Sequence, residues 1–122
     1  MANKGVNKTT LLGKLGNDPE VRFTPSGKAV CNLSVATSET WKDQNGQTQE
    51  ITDWHRVVIW GKRGEIVGQF LAKGDPIYIE GKSRTREYTD AQNVKRYVTE
   101  VIVDQSGDMQ MIGSKSRPNQ SV

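Results

Sequence analysis

One cysteine and one histidine in 122 residues leave little room for metal or disulfide chemistry. Cys31 has no second cysteine in the chain to bridge to, and together with His55 it cannot supply the Cys₄ or Cys₂His₂ sets of structural zinc. A Ser/His/Asp triad would have to be built on His55, yet no G-x-S-x-G segment is present to hold a nucleophile. Asp43, Glu50 and Asp53 have no spacing diagnostic of a magnesium site. No apolar run approaches the ~20 residues that a membrane helix needs, and mean hydropathy is −0.68. The opening Met1-Ala2-Asn3-Lys4-Gly5 lacks the ~7–15-residue apolar segment of a secretory signal. Repeats of about 20–50 residues are absent too, which excludes solenoids. These absences point to a cytoplasmic binding protein rather than an enzyme, with no metal, no cofactor and no membrane partner.

What is present is a set of short β-type runs. They are Val6–Leu15, Val21–Thr24, Ala29–Thr37, Asp53–Trp60, Pro76–Tyr88 and Arg96–Val103, with Met109–Ile112 as a last fragment. Asn17-Asp18-Pro19 and Pro25-Ser26-Gly27 separate them as turns, and Asp43–Gly46 and Thr89–Asn93 read as the tips of two mobile loops. Lys62–Lys73 breaks the β pattern: Ile66, Val67, Phe70 and Leu71 make a helix-spaced apolar stripe that ends before Gly74, although Gly64 and Gly68 weaken it. The predicted fold class is all-β, a five-stranded OB-fold Greek-key barrel with one short α-helix between strands 3 and 4. Residues 1–112 form the domain. Residues 113–122 are polar and aperiodic and are predicted to be a disordered tail.

Strand alternation then sorts the residues that can carry chemistry. In Asp53–Trp60 it places Trp54, Arg56, Val58 and Trp60 on one face, with His55, Val57 and Ile59 on the other. In Pro76–Tyr88 it places Lys82, Arg84, Arg86 and Tyr88 opposite Ile77, Ile79 and Gly81. Trp41 adds a third indole at the mouth of the polar Ser38–Gln49 loop.

Aromatic rings offer any base a stacking surface worth about 1–3 kcal/mol, while lysine and arginine follow phosphates. Duplex DNA hides the base faces, so aromatics interleaved with cations favour single strands. The net charge of +3 agrees with a polyanionic partner. A buried indole is the commoner fate of tryptophan, but Trp41 lies between Thr40 and Lys42, and Trp54 shares its face with Arg56. Trp60 abuts Gly61 and can either face solvent or pack under the helix. The Lys82/Arg84/Arg86 stripe can also be read as a solvated face, and the aromatics as subunit contacts. His55 reads as a packed or interface residue, and Cys31 as a small buried hydrophobe.

Several blocks taken in order carry a resemblance. They are Gly5-Val6-Asn7-Lys8, Gly16-Asn17-Asp18-Pro19-Glu20-Val21-Arg22, Ala36-Thr37-Ser38-Glu39, Trp54-His55-Arg56-Val57-Val58, Tyr78-Ile79-Glu80-Gly81, Arg84-Thr85-Arg86 and Met109-Gln110-Met111. From Gly5 to about Gly113 the chain resembles the bacterial single-stranded-DNA-binding protein family. The resemblance implies a homotetrameric OB-fold protein that wraps single-stranded DNA in replication, recombination and repair. It implies stacking at Trp41, Trp54, Trp60 and Tyr88, and phosphate contacts at Lys62, Lys73, Arg84 and Arg86 with Arg56 nearby; the Lys82 of the stripe joins this set. It also implies that His55 and the Asn3–Leu11 strand meet a second subunit, and that Lys8, Tyr78, Glu80, Thr99 and Gln110 lie where two dimers join.

Departures from the family are specific. Trp60 and Tyr88 stand where its best-known members have Phe and Trp, and Pro76 replaces a usually polar residue. The long linker and acidic tip that recruit replication and repair proteins are not in this sequence, so tail-dependent recruitment is not expected of it. The sequence fits either a trimmed DNA-binding core or a naturally short form.

Overall fold

Residues that alternate in burial along a chain are satisfied by strands with one wet and one dry face, and the barrel stretches of this chain alternate in this way at Thr9–Leu15, Ala29–Ala36 and Pro76–Gly81. The computed structural model describes residues 5–112; the predicted tail, residues 113–122, lies outside the described residues, as do the first two residues of the Asn3–Leu11 segment. The elements are β1 (Thr9–Leu15), β2 (Glu20–Phe23), β3 (Ala29–Lys42), β4 (Thr48–Trp60), α1 (Lys62–Phe70), β5 (Pro76–Thr89), β6 (Lys95–Val103) and β7 (Asp108–Met111).

The strand circuit closes. β1 pairs antiparallel with β5 along its length and with β3 at its end, β3 pairs with β4, β4 runs parallel to β6, and β6 returns antiparallel to β5. These five strands form the OB-fold barrel, and α1 falls between the third and fourth of them. β2 and β7 are additions, paired to β3 and β5. Inside lie Leu11, Leu15, Cys31, Leu33, Val35, Val57, Ile59, Ile77, Ile79, Val101 and Val103, joined by Val67 and Leu71 from the helix and the residue after it. Burial pushes the Cys31 thiol up to about 11, which keeps it protonated and inert. No helix among the described residues is long and apolar enough to cross a membrane.

The helix is shorter and differently oriented than its apolar stripe suggests. It ends at Phe70, and its buried positions are Gly64 and Val67, while Phe70 is exposed. The two glycines that weaken its propensity are there for contact: a Cβ on Gly64 would come within 2.6 Å of the Ile59 carbonyl oxygen, and one on Gly68 within 2.3 Å of Val21. Close approach of α1 to the barrel end outweighs helix propensity here.

The two excursions have their tips where the sequence places them, but their flanks are strand-paired ribbons rather than loop. β3 and β4 stay in continuous register from Val30↔Trp60 to Lys42↔Thr48, and β5 and β6 from Lys82↔Ile102 to Thr89↔Lys95. Both tips use one design. Asp43 Oδ1 accepts from the amides of Asn45 and Gln47, and Asp90 Oδ1 from those of Gln92 and Val94. Gly46 and Asn93 take the left-handed conformation (φ 79° and 65°) that a three-residue hairpin loop requires. At the other end of the chain, the strand predicted from Val6 begins only at Thr9. Asn7 nevertheless fastens the preceding segment, its side chain donating to the Ser83 carbonyl and accepting from the Ser83 amide.

Candidate nucleic-acid interface

Register fixes which side chains share the outer surface of the barrel. The core-facing positions of β4 are Val57 and Ile59, so Trp54, Arg56 and Trp60 point outward, as alternation predicts, while Val58 shares their face but is covered, at 7% exposed. On β5 the core-facing Ile77 and Ile79 leave Lys82, Arg84, Arg86 and Tyr88 outward. Cross-strand pairing then joins the two sets through β6: Val58 stands beside Ile102, which pairs with Lys82, while Glu100 pairs with Arg84 and Val98 with Arg86. The result is one outer face with Trp60 at one end, Arg56 and Trp54 in the middle, and Tyr88 towards the tip of the β5–β6 ribbon.

β4 and β6 pair only from Val57 to Ile59. Beyond that the two ribbons part, and an open groove of about 560 Å³ lies between them, walled by Trp54, Arg56, Tyr88 and Glu100. Trp54 is 64% exposed and Tyr88 42%, an unusual state for large aromatics. Trp54 is held in place rather than loose: its ring lies over Gly16, where a Cβ would come within 2.4 Å of it. The Arg86 guanidinium stands 5.8 Å from the Tyr88 ring centroid, within cation–π range.

The other candidate residues fall into place unevenly. Trp60 is half-buried, faces outward and does not pack under the helix; Lys28 covers its ring, with Nζ 5.4 Å from the centroid. Lys62 and Lys82 line the same recess as Trp60. Lys73 is exposed beyond the helix, its amide donating to Asp18 Oδ1, and Asp18 in turn borders a cleft with Trp54 and Arg56.

Trp41 is not at a loop mouth. It sits within β3, paired with Gln49, and its odd-numbered register puts it on the opposite face of the ribbon from Trp54. It is 49% exposed there. Arg86 is already engaged, its Nε donating to Glu100 Oε1 at 3.0 Å, and this carboxylate raises its pKa further. Arg84 has no such ion pair among the described residues.

Four of the five residues expected where dimers join come together on one outer face, from the residue before β1 and from β5 and β7. Lys8 Nζ lies 3.3 Å from Glu80 Oε1, the Tyr78 hydroxyl donates to Glu80, and Tyr78 pairs with Gln110. Those two bonds lower the Glu80 pKa, chiefly the one from Tyr78, and the Tyr78 phenol is raised in return. Thr99 is elsewhere: its hydroxyl lies 2.7 Å from that of Thr85, on the opposite face of the β5–β6 ribbon. His55 is half-buried with Nε2 at 2.9 Å from the Thr37 hydroxyl.

Two cations near Trp60 escape a reading by strand alternation. Lys28 belongs by sequence to a turn and Arg63 to the helix, and only the pairing of Val30 with Trp60 and the packing of α1 bring them to the ring. Among the described residues, no group of three or more His, Cys, Asp or Glu side chains is placed to hold a metal ion.

Comparison with known proteins agrees with this geometry. A solved structure described as a Plasmodium falciparum SSB complex with ssDNA is similar over 93% of this chain and 100% of its own, at 31% identity and a TM-score of 0.81. The model of the Single-strand binding protein family matches residues 6–112, from the segment before β1 to the end of β7. With a closed OB barrel, an aromatic and cationic outer face, and a family match across nearly the whole chain, the protein belongs to the Single-strand binding protein family.

Proposed function

We propose that this chain binds single-stranded DNA without sequence preference, protecting it in replication, recombination and repair, and that it does so as a cytoplasmic binding protein without catalysis. The observation that carries the reading is the exposed Trp54 ring at the wall of the inter-ribbon groove, on one face with Arg56 and opposite Tyr88. Bases stack on Trp54, Trp60 and Tyr88, and phosphates pass along Arg56, Lys62, Lys82, Arg84 and Arg86, with Lys73 beyond Trp54. Trp41, on the other side of its ribbon, takes bases only if the strand wraps around that ribbon. Stacking uses the π-face common to all bases, so it tolerates sequence.

Titration with poly(dT), followed by tryptophan emission, tests this. Strong quenching that duplex DNA cannot compete away is the expected result. Absent quenching, or tighter binding to matched RNA, would overturn the reading.

Assembly into a homotetramer belongs to the same proposal. It is supported by the Lys8, Tyr78, Glu80 and Gln110 cluster on one outer face and by the half-buried His55. Thr99, on another face, would have to meet a different part of the neighbour. Light scattering on dilution reads this directly: a Tyr78→Ala variant should dissociate into smaller species at concentrations where the wild type stays assembled. A monomeric wild type would refute it.

A further inference from the structure

At the end of the outer face away from Tyr88, the side chains around Trp60 enclose an open recess of about 650 Å³. Its charge is one-sided: Lys28, Lys62, Arg63 and Lys82 line it against one carboxylate, Asp104. That carboxylate is occupied in its own turn, Oδ1 accepting from the Ser106 amide and hydroxyl at 2.9 and 2.7 Å. Arg63 is fixed, its Nη1 donating to the Gly107 carbonyl oxygen at 2.7 Å, so the remaining guanidinium donors are held in place beside the recess. Lys28 is not fixed. No carboxylate pairs with its ammonium among the described residues, and it rests over the Trp60 ring instead.

A cluster of cations around one aromatic ring repels itself unless an anion joins it. A ring with a cation on its face is also a ring kept free of protein packing. The base on Trp60 belongs to the function proposed above; we infer that Lys28 and Arg63 hold the phosphate beside that base, and that Lys28 closes the seat. In the free protein the Lys28 ammonium occupies the ring face. When a base takes that face, the flexible four-carbon stem carries the ammonium to the adjoining phosphate, opposite the fixed guanidinium of Arg63. Neither Lys28 nor Arg63 is among the phosphate contacts proposed above. The inference rests on the single-stranded-DNA reading and adds a specific station to it.

The test uses Trp41→Phe/Trp54→Phe protein, in which Trp60 is the only indole left of the three. Its emission then reports on this recess alone during titration with oligo(dT) at several salt concentrations. Adding Lys28→Ala should weaken the Trp60 quenching several-fold at low salt. It should also make the log K against log[salt] slope shallower by about 0.7, the value of one phosphate on a single strand. Among the described residues the Lys28 side chain makes no hydrogen bond, and its backbone alone bonds Thr24, so the substitution leaves the hydrogen bonds of the turn in place. Lys95→Ala, at the tip of the β5–β6 ribbon on the face opposite Tyr88, is the comparison for general charge and should change neither quantity.

Identical slopes and midpoints with and without Lys28 would overturn the seat while leaving single-strand binding standing. Equal losses from Lys28→Ala and Lys95→Ala would overturn it as well, because they would reflect net charge alone. Wild-type protein that oligo(dT) fails to quench would remove the functional reading itself.

Discussion

The two ribbons that rise from the barrel have the same backbone design and opposite side-chain economies. Each is a continuous antiparallel pair ending in an aspartate-held three-residue turn. The β3–β4 ribbon carries the indoles of Trp41 and Trp54, and no ion pair joins its strands among the described residues. The β5–β6 ribbon carries Tyr88 and is laced by Arg86–Glu100, Lys95–Glu87 and Arg96–Asp90. One arm thus offers uncommitted aromatic surface, and the other offers cations of which Arg86, Lys95 and Arg96 already have partners and Arg84 has no ion pair among the described residues. Stacking does not depend on displaced counterions, whereas phosphate contact does. The comparison therefore assigns most of the salt-independent affinity to the first ribbon, where Arg56 is the one proposed phosphate contact, and most of the salt-dependent affinity to the second.

The sharpest break is Trp54→Ala. It should cost about 1–3 kcal/mol of affinity for oligo(dT) and leave the salt slope where it was, as read by anisotropy of a labelled strand at several salt concentrations. A slope that falls together with the affinity would mean that Trp54 mainly positions Arg56, and the division between the arms would be lost.

A smaller effect separates the arginines within the second ribbon. Arg84→Ala should lower the slope by about 0.7, and Arg86→Ala by less, because Glu100 already neutralises Arg86 across the strands. Glu100→Gln should release Arg86 and steepen the slope. Equal losses at Arg84 and Arg86, with no response to Glu100→Gln, would show that the ion pair gives way freely when a phosphate arrives.

How much of this was legible in the sequence follows the same contrast. The outward set on β4 and β5 could be read directly, because Val57, Ile59, Ile77 and Ile79 mark the dry face residue by residue and the pleat does the rest. The ribbons could not. Ser38–Lys42 and Thr48–Thr52 are strands wet on both sides, so they show no alternation and look like loop. For the same reason the sequence puts Trp41 at a loop mouth and gives no sign that it lies on the face opposite Trp54. The helix stripe misled because Gly64, with no side chain to score, is the residue closest to the barrel. Lys28 gave no local signal, since its partner Trp60 is brought to it only by the β3–β4 pairing.

The finest distinction lies at the two tips, where acid should open both turns but not together. Asp43 is held below the usual carboxylate range chiefly by the Gln47 amide, and Asp90 chiefly by that of Val94. A depressed folded-state pKa means stability that is fully present above the unfolded value of about 3.9 and lost as pH falls through the folded one. Both turns therefore loosen on acidification below about pH 4, and neither responds near neutrality. The tips differ in their remaining partner: the other oxygen of Asp43 takes neutral Gln49, whereas that of Asp90 takes the Arg96 guanidinium. A charged donor favours the ionised form more strongly than a neutral one, and salt screens only the former. In an NMR titration the Val94 amide should therefore keep its hydrogen-bonded shift to lower pH than the Gln47 amide, and the gap should narrow as salt is added. If the two amides move together at low salt, the Arg96–Asp90 pair contributes nothing to its turn, and the ion pairs of the second ribbon lose their claim to be committed before DNA arrives.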